Sequence, residues 1–166
     1  TSLDAEVPEV DLQPKTNEIS FIQYTSGSTG TPKGVIVSQK NLFTNQVLIQ
    51  KTFSCDNDSV ILSWLPFYHD MGLIGNILHA IIVDCQCILM PPTMVIQSPL
   101  SWLKLISTHN VTHSGGPNFI YDHCVSYIAD VDLNSLDLSK WKLAYNGSEP
   151  IKKETIDHFI DKFSIC

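Results

Sequence analysis

The sequence predicts an α/β domain, a mostly parallel sheet layered with helices. Three observations carry this. Short β-type apolar runs alternate with helical patterns about every 25 residues, the rhythm of a parallel sheet with helical crossovers. Clusters of Gly, Pro, Asn and Ser follow the ends of those runs, where an α/β fold turns its chain. Hydrophobic residues make up 43% of the 166 residues and charged residues 16%, so the chain has enough apolar side chains for a core.

Residues 1–18 hold Pro8, Pro14 and many charges, and read as a linker or incomplete leading segment. A strand is expected over 19–24 and another over 35–37, so the Gly/Ser/Thr-rich stretch between them sits in a hairpin. Ser38 is the expected N-cap of a helix over 41–51, anchored by Leu42, Val47 and Ile49. A strand over 60–65 leads to a loop over 66–70 and then to a largely buried helix over 71–82. Residues 87–90 read as a strand closed by Pro91 and Pro92, and Ser98 and Pro99 as N-cap and N1 of a helix to His109. A strand over 111–114, a helix over 118–127 and a strand over 141–145 follow. A turn at Asn146 and Gly147 leads to a helix over 152–163 with Ile156, Phe159, Ile160 and Phe163 on one face. Residues 19–166 are thus expected to be part of one domain, cut from a longer protein.

Net charge is -7, which argues against a nucleic-acid partner, whose phosphates need clustered Lys and Arg. The five cysteines form no C-x-x-C pair and no zinc spacing with His, so no metal site is expected. Reduced, mostly buried thiols fit a cytoplasmic protein. The longest apolar stretch, 71–83, is broken by Asn76 and His79 and is too short to span a bilayer, so no transmembrane segment is expected.

In parallel α/β sheets, ligands bind where loops leave the C-terminal ends of strands. The first candidate loop is YTSGSTGTPKG, residues 24–34. Gly27 and Gly30 let the backbone turn its N–H groups toward an anion. Ser26, Ser28, Thr29 and Thr31 add hydroxyl donors, and Lys33 a point charge. The stretch is not a Walker A loop, because only two residues separate Gly27 from Gly30 and Gly34 leads into a strand. In the second loop, WLPFYHDMG, His69 and Asp70 sit among aromatics; a lone His there is either structural or chemical. In the third, Gly115 and Gly116 precede Pro117, Asn118 and Phe119, and permit close approach either by a ligand or by another strand. In the fourth, Asn146, Gly147, Ser148, Glu149 and Pro150 form a turn and a helix start.

The first loop resembles the signature loop of the adenylate-forming, acyl-activating enzyme superfamily. LPFYHDMGLIG, SGGPNF, LNSLDLSKW and NGSEP resemble most the fatty acyl-AMP ligase branch, with Ser148 where that branch has Ala. The resemblance implies part of a large N-terminal domain, with the C-terminal domain absent. It implies that Thr25, Ser26, Gly27, Ser28, Thr29, Gly30 and Lys33 hold the ATP β- and γ-phosphates. His69, Asp70, Gly115, Gly116, Pro117, Asn118 and Phe119 would line the acyl pocket, Lys33 and His69 being catalytic. Asn146, Gly147, Ser148, Glu149 and Pro150 would pack on adenine. The implied reaction joins a fatty acid to AMP and passes the acyl group to a carrier-protein thiol. An acyl-CoA synthetase, a peptide-synthetase adenylation domain and a degenerate nucleotide-binding module are the alternatives. The superfamily's magnesium-contacting Glu motif, ribose-binding Asp and C-terminal Lys have no counterpart here, so the ligands of Mg2+ are expected outside these residues. The chain alone is therefore expected to lack acid activation.

Overall fold

A computed structural model describes residues 17–25 and 32–166. The chain divides into two compact units, 1–45 and 46–166. In the first, β1 (Ile19–Thr25) and β2 (Lys33–Ser38) pair antiparallel, with Tyr24 opposite Gly34 and Thr25 opposite Lys33. The expected hairpin is present, and both strands run longer than the sequence indicated. Ser38 caps α1 (Gln39–Phe53). Its Oγ accepts the Asn41 N–H at 3.2 Å, and Asn41 Oδ1 accepts the Ser38 N–H at 3.1 Å. This is the reciprocal geometry of a capping box, with Asn in place of the usual Glu. The buried residue of α1 is Gln46, whereas Leu42, Val47 and Ile49 are only half-buried.

The second unit is built on a four-stranded sheet in the order β4-β3-β5-β6. Its strands are β3 (Val60–Ser63), β4 (Gln86–Leu89), β5 (His113–Gly116) and β6 (Leu143–Asn146), and all neighbours are parallel. Side chains alternate across this sheet, as the pleat requires. On one face Ile61 packs with Cys55, Ala80 and Val83. On the other, Leu62 joins the main core. That core takes Val95 from α4 (Pro92–Gln97), Trp102, Leu103 and Ile106 from α5 (Pro99–Thr108), and Ile120, Tyr121 and Cys124 from α6 (Asn118–Tyr127). α8 (Lys153–Phe163) adds Phe159 and Phe163. Aromatic edges tie these elements together: Trp102 meets Trp141 at 5.3 Å and Tyr121 at 6.0 Å, and Tyr121 meets Phe159 at 5.0 Å. Ile156 is half-buried and Ile160 is 56% exposed, so the apolar face of α8 is narrower than its sequence pattern.

The structure differs from the sequence expectation at five places. The buried helix expected over 71–82 is three segments: α2 (Asp70–Gly72), a π-helical turn (Leu73–Ile77) and α3 (Leu78–Val83). α4 begins with Pro92 at its first position, where the missing N–H costs nothing, so the proline pair starts a helix rather than a loop. Ser98 precedes α5, but its side chain makes no capping bond. β5 lies two residues later than expected, which places Gly115 and Gly116 inside the sheet. The short α7 (Asp130–Leu133) was not anticipated.

Candidate functional site

Because β3, β5 and β6 are parallel neighbours, the segments that follow them emerge side by side. This is where an α/β sheet presents ligand-binding loops. The segments are those carrying His69, Pro117 and Ser148.

The two glycines of β5 belong to the sheet. Gly115 lies opposite Tyr145, and Gly116 opposite Asn146. A Cβ on Gly115 would lie 2.1 Å from the Tyr145 carbonyl oxygen, and one on Gly116 would lie 2.3 Å from Trp64 Cζ2. Of the two alternatives the sequence left open, the structure shows close approach by a strand at Gly115 and by a core indole at Gly116. Gly147 N–H reaches Gly116 O at 3.4 Å, which carries the pairing to the start of the next loop.

Asn118, 5% exposed, ties the β5 and β6 loops together. Its Nδ2 donates to Thr155 Oγ1 at 3.2 Å. Its Oδ1 accepts from the Lys152 N–H at 3.1 Å and from Asn146 Nδ2 at 3.4 Å. Glu149 makes a second tie, its Oε1 accepting the Phe119 N–H at 2.6 Å in the first turn of α6. A carboxylate there satisfies an orphan helix donor and complements the helix dipole. Ser148 adopts a left-handed φ of 70°, and its hydroxyl donates to Met71 Sδ at 2.9 Å.

On the β3 side, His69 is the N-cap of α2, and its Nδ1 accepts from the Met71 N–H at 3.2 Å. Asp70 Oδ1 accepts from the same N–H at 2.8 Å and lies 2.9 Å from His69 Nδ1. Both side chains are about half exposed, at 51% and 53%.

His69, Pro117, Phe119 and Ser148 line one cavity of about 210 Å³, together with Trp64 and Ile96. On the other flank of Pro66, Phe67, Tyr68, Ile77, Leu89 and Met90 line a larger apolar cavity of about 570 Å³. Asp70, Gly115, Gly116 and Asn118 do not line the smaller cavity; they hold its frame. Sequence reading missed Trp64 and Met71, which lie in the quoted motif but carry no charge or ionisable group to draw attention. Burial pushes the Tyr145 and Tyr121 phenols well above their ordinary range, so both hydroxyls stay protonated and donate.

Lys33 and Thr25 lie in the first unit, on the paired ends of β1 and β2, and both are exposed. The Thr25 hydroxyl donates to Lys33 O at 3.5 Å. Ser26, Gly27, Ser28, Thr29 and Gly30 fall outside the described residues. Among the described residues no group of three or more His, Cys, Asp or Glu could hold a metal ion.

The family model for AMP-binding enzymes matches residues 2–165. The chain belongs to the AMP-binding enzyme family. Among curated relatives, it is 51% identical to the medium-chain-fatty-acid–[acyl-carrier-protein] ligase TtuA of Teredinibacter turnerae, over 95% of this chain and 24% of that protein. It is 36% identical to the long-chain-fatty-acid–AMP ligase FadD23 of Mycobacterium tuberculosis, over 98% of this chain and 29% of that protein. The chain therefore spans about a quarter of the length of these relatives. Among solved structures, the fatty acyl-adenylate ligase of Legionella pneumophila in complex with acyl adenylate and pyrophosphate superposes with a TM-score of 0.86 at 49% identity. The match covers 92% of this chain and 27% of that one. The McyG A-PCP structure complexed with phenylalanyl-adenylate gives 0.84 at 28% identity, over 90% of this chain and 23% of that one. These neighbours share the layered α/β fold of adenylate-forming enzymes.

Proposed function

We propose that the protein containing this chain activates a fatty acid with ATP and passes the acyl group to a carrier-protein thiol. The observation that carries the proposal is the meeting of His69, Pro117, Phe119 and Ser148, from three neighbouring strand ends, around one cavity. The likeness to a Legionella ligase that holds acyl adenylate and pyrophosphate supports it.

In this reading a carboxylate oxygen of the fatty acid attacks the α-phosphorus of ATP. The bond from that phosphorus to the bridging oxygen breaks, and pyrophosphate leaves with the electron pair. Lys33, with the Thr25–Gly30 loop, holds the β- and γ-phosphates and offsets the charge that grows on the leaving group. The 146–150 segment packs its backbone along adenine. The apolar walls supplied by Leu89 and Met90 suit a hydrocarbon chain. His69 stands beside the carboxylate and α-phosphate, where its ring can donate to a developing negative charge. Mg2+ would accompany ATP as its counter-ion, held by residues other than those described. No helix among the described residues is long and apolar enough to cross a membrane, and we place the reaction in the cytoplasm.

The test is to incubate the full-length protein with α-labelled ATP and fatty acids of graded length, then add either holo carrier protein or coenzyme A. Acid-dependent acyl-AMP, discharged by carrier protein and not by coenzyme A, is expected. Discharge by coenzyme A alone would make the protein an acyl-CoA synthetase. Absence of acyl-AMP with every acid would reject the reading.

A further inference from the structure

Asn76, like His79, interrupts a mostly apolar helical run, and it is only 1% exposed. An amide buried among apolar side chains is costly unless both of its ends are bonded. Here both are. Nδ2 donates to Ser63 Oγ at 3.0 Å, and Oδ1 accepts from the Tyr145 hydroxyl at 2.9 Å. Ser63 closes β3, the strand that delivers His69. Tyr145 precedes the 146–150 segment directly, in β6. Asn76 itself lies in the π-helical turn that continues from Asp70 and Met71. Such widened turns occur chiefly as single insertions and recur at functional sites.

Tyr145 is held from three sides. Its hydroxyl is held by Asn76, its carbonyl oxygen accepts from the Tyr121 hydroxyl at 2.6 Å, and its ring stacks on Phe53 at 5.9 Å. Met71 makes a second link between the same two segments, through Ser148 Oγ at 2.9 Å. A leucine at position 76 would fill comparable space without the burial cost of an amide. What the amide adds is a directional bond between the helix that follows His69 and the strand that precedes Asn146.

We propose that Asn76 is a positioning residue for adenylation: acting through Tyr145, its amide sets the spacing between the His69 segment and the 146–150 segment. The proposal rests on the adenylation reading above, in which the His69 segment addresses the junction of carboxylate and α-phosphate and the 146–150 segment the adenine. Misplacement by about 1 Å of parts that must meet in a transition state can cost ~100-fold in rate.

The test uses three variants of the full-length protein: Asn76→Leu, Tyr145→Phe and the double substitution. Asn76→Leu takes this partner from two polar groups, the Tyr145 hydroxyl and Ser63 Oγ, and Tyr145→Phe takes it from one, Asn76 Oδ1, so both should melt below the parent. The double variant removes both ends of the Asn76–Tyr145 bond, leaves only Ser63 Oγ without its Asn76 donor, and should recover part of the melting temperature. In fatty-acid-dependent ATP–pyrophosphate exchange, all three should lose about 10- to 100-fold in kcat, with KM for ATP changed by less than about 3-fold. A double variant that regains kcat together with its melting temperature would reduce the bond to packing alone and overturn the proposal. Parent-like kcat in Tyr145→Phe, which keeps the ring stack, would overturn it even if Asn76→Leu fails to fold. An active parent with unaffected variants sinks only this inference. A parent with no exchange sinks the adenylation reading and the inference with it.

Discussion

Replacing Gly115 by Ala should destabilise the protein by about 3–4 kcal/mol. The new methyl would lie 2.1 Å from Tyr145 O and 2.6 Å from Tyr145 Cδ2. Neither atom can move alone. The carbonyl is in the β6 ladder and already accepts from Tyr121, and the ring is held by Phe53 and Asn76. Relief requires β5 and β6 to part by about 1 Å, which weakens the ladder bonds at Gly115 and Gly116, each worth about 0.5–1.5 kcal/mol. Overpacking strain adds roughly 1–3 kcal/mol, and the lower entropy of the unfolded alanine chain returns about 0.4–1 kcal/mol. At about 2–4 °C per kcal/mol for a unit of this size, the melting temperature should fall by roughly 6–16 °C. Gly75→Ala is the internal control, because a Cβ there meets nothing within 4 Å. That variant should be neutral or slightly stabilised, as expected when glycine is removed from a helical turn. Thermal melts followed by far-UV circular dichroism, with ATP binding measured alongside, decide the matter. A Gly115→Ala protein that melts within about 2 °C of the parent yet loses ATP binding would show that this glycine serves a ligand and not the neighbouring strand.

Three further outcomes follow from particular contacts. His69→Ala should slow adenylate formation by about 10- to 100-fold without altering metal content by elemental analysis; loss of a bound metal on this substitution would overturn its assignment. Burial pushes the Cys85 thiol, beside Cys55, and the Cys124 thiol up to about 12. Neither should react with iodoacetamide at about pH 8 until the protein is unfolded, and labelling of Cys124 in the folded protein, read by mass spectrometry, would contradict its packing. Burial, and secondarily His113, holds His79 below its ordinary 6.5, with its Nδ1 only 2.7 Å from Gln46 Oε1. The unfolded chain then binds the extra proton first, so this contribution to stability is fully present above about pH 6.5 and is lost as pH falls from there through the lower folded-state value. His79→Gln should flatten the dependence of melting temperature on pH between about 8 and 5.5; an unchanged slope would assign it elsewhere.

The hairpin, the parallel sheet and most of the helices were legible because each rests on a local pattern: a short apolar run in β1, a serine cap at Ser38, and the apolar spacing of Phe159 and Phe163 in α8. Boundaries failed where local chemistry is ambiguous. Gly115 and Gly116 read as loop because glycine is a poor strand former, yet the strand needs them there to let Tyr145 and Trp64 come close. Pro91 and Pro92 read as a stop although Pro92 opens a helix. The π-helical turn leaves no period in the sequence, so Asn76 read as an interruption when it is a bonded core residue. Of the candidate site, the residue types were legible and the division of labour was not. Only the assembled sheet separates His69, Pro117, Phe119 and Ser148, at the cavity wall, from Asn118 and Glu149, which tie the loops.

Acid activation by the full-length protein is tested at Lys33. Its ammonium should meet the phosphates as charge develops on the leaving pyrophosphate. Fatty-acid-dependent ATP–pyrophosphate exchange should be measured with the full-length protein and its Lys33→Ala variant side by side. The expected result is robust, acid-dependent exchange in the parent and a loss of roughly 10- to 1000-fold in the variant, as for one lost electrostatic donor. Exchange that is equal in the two proteins, with both shown to be folded, would contradict it.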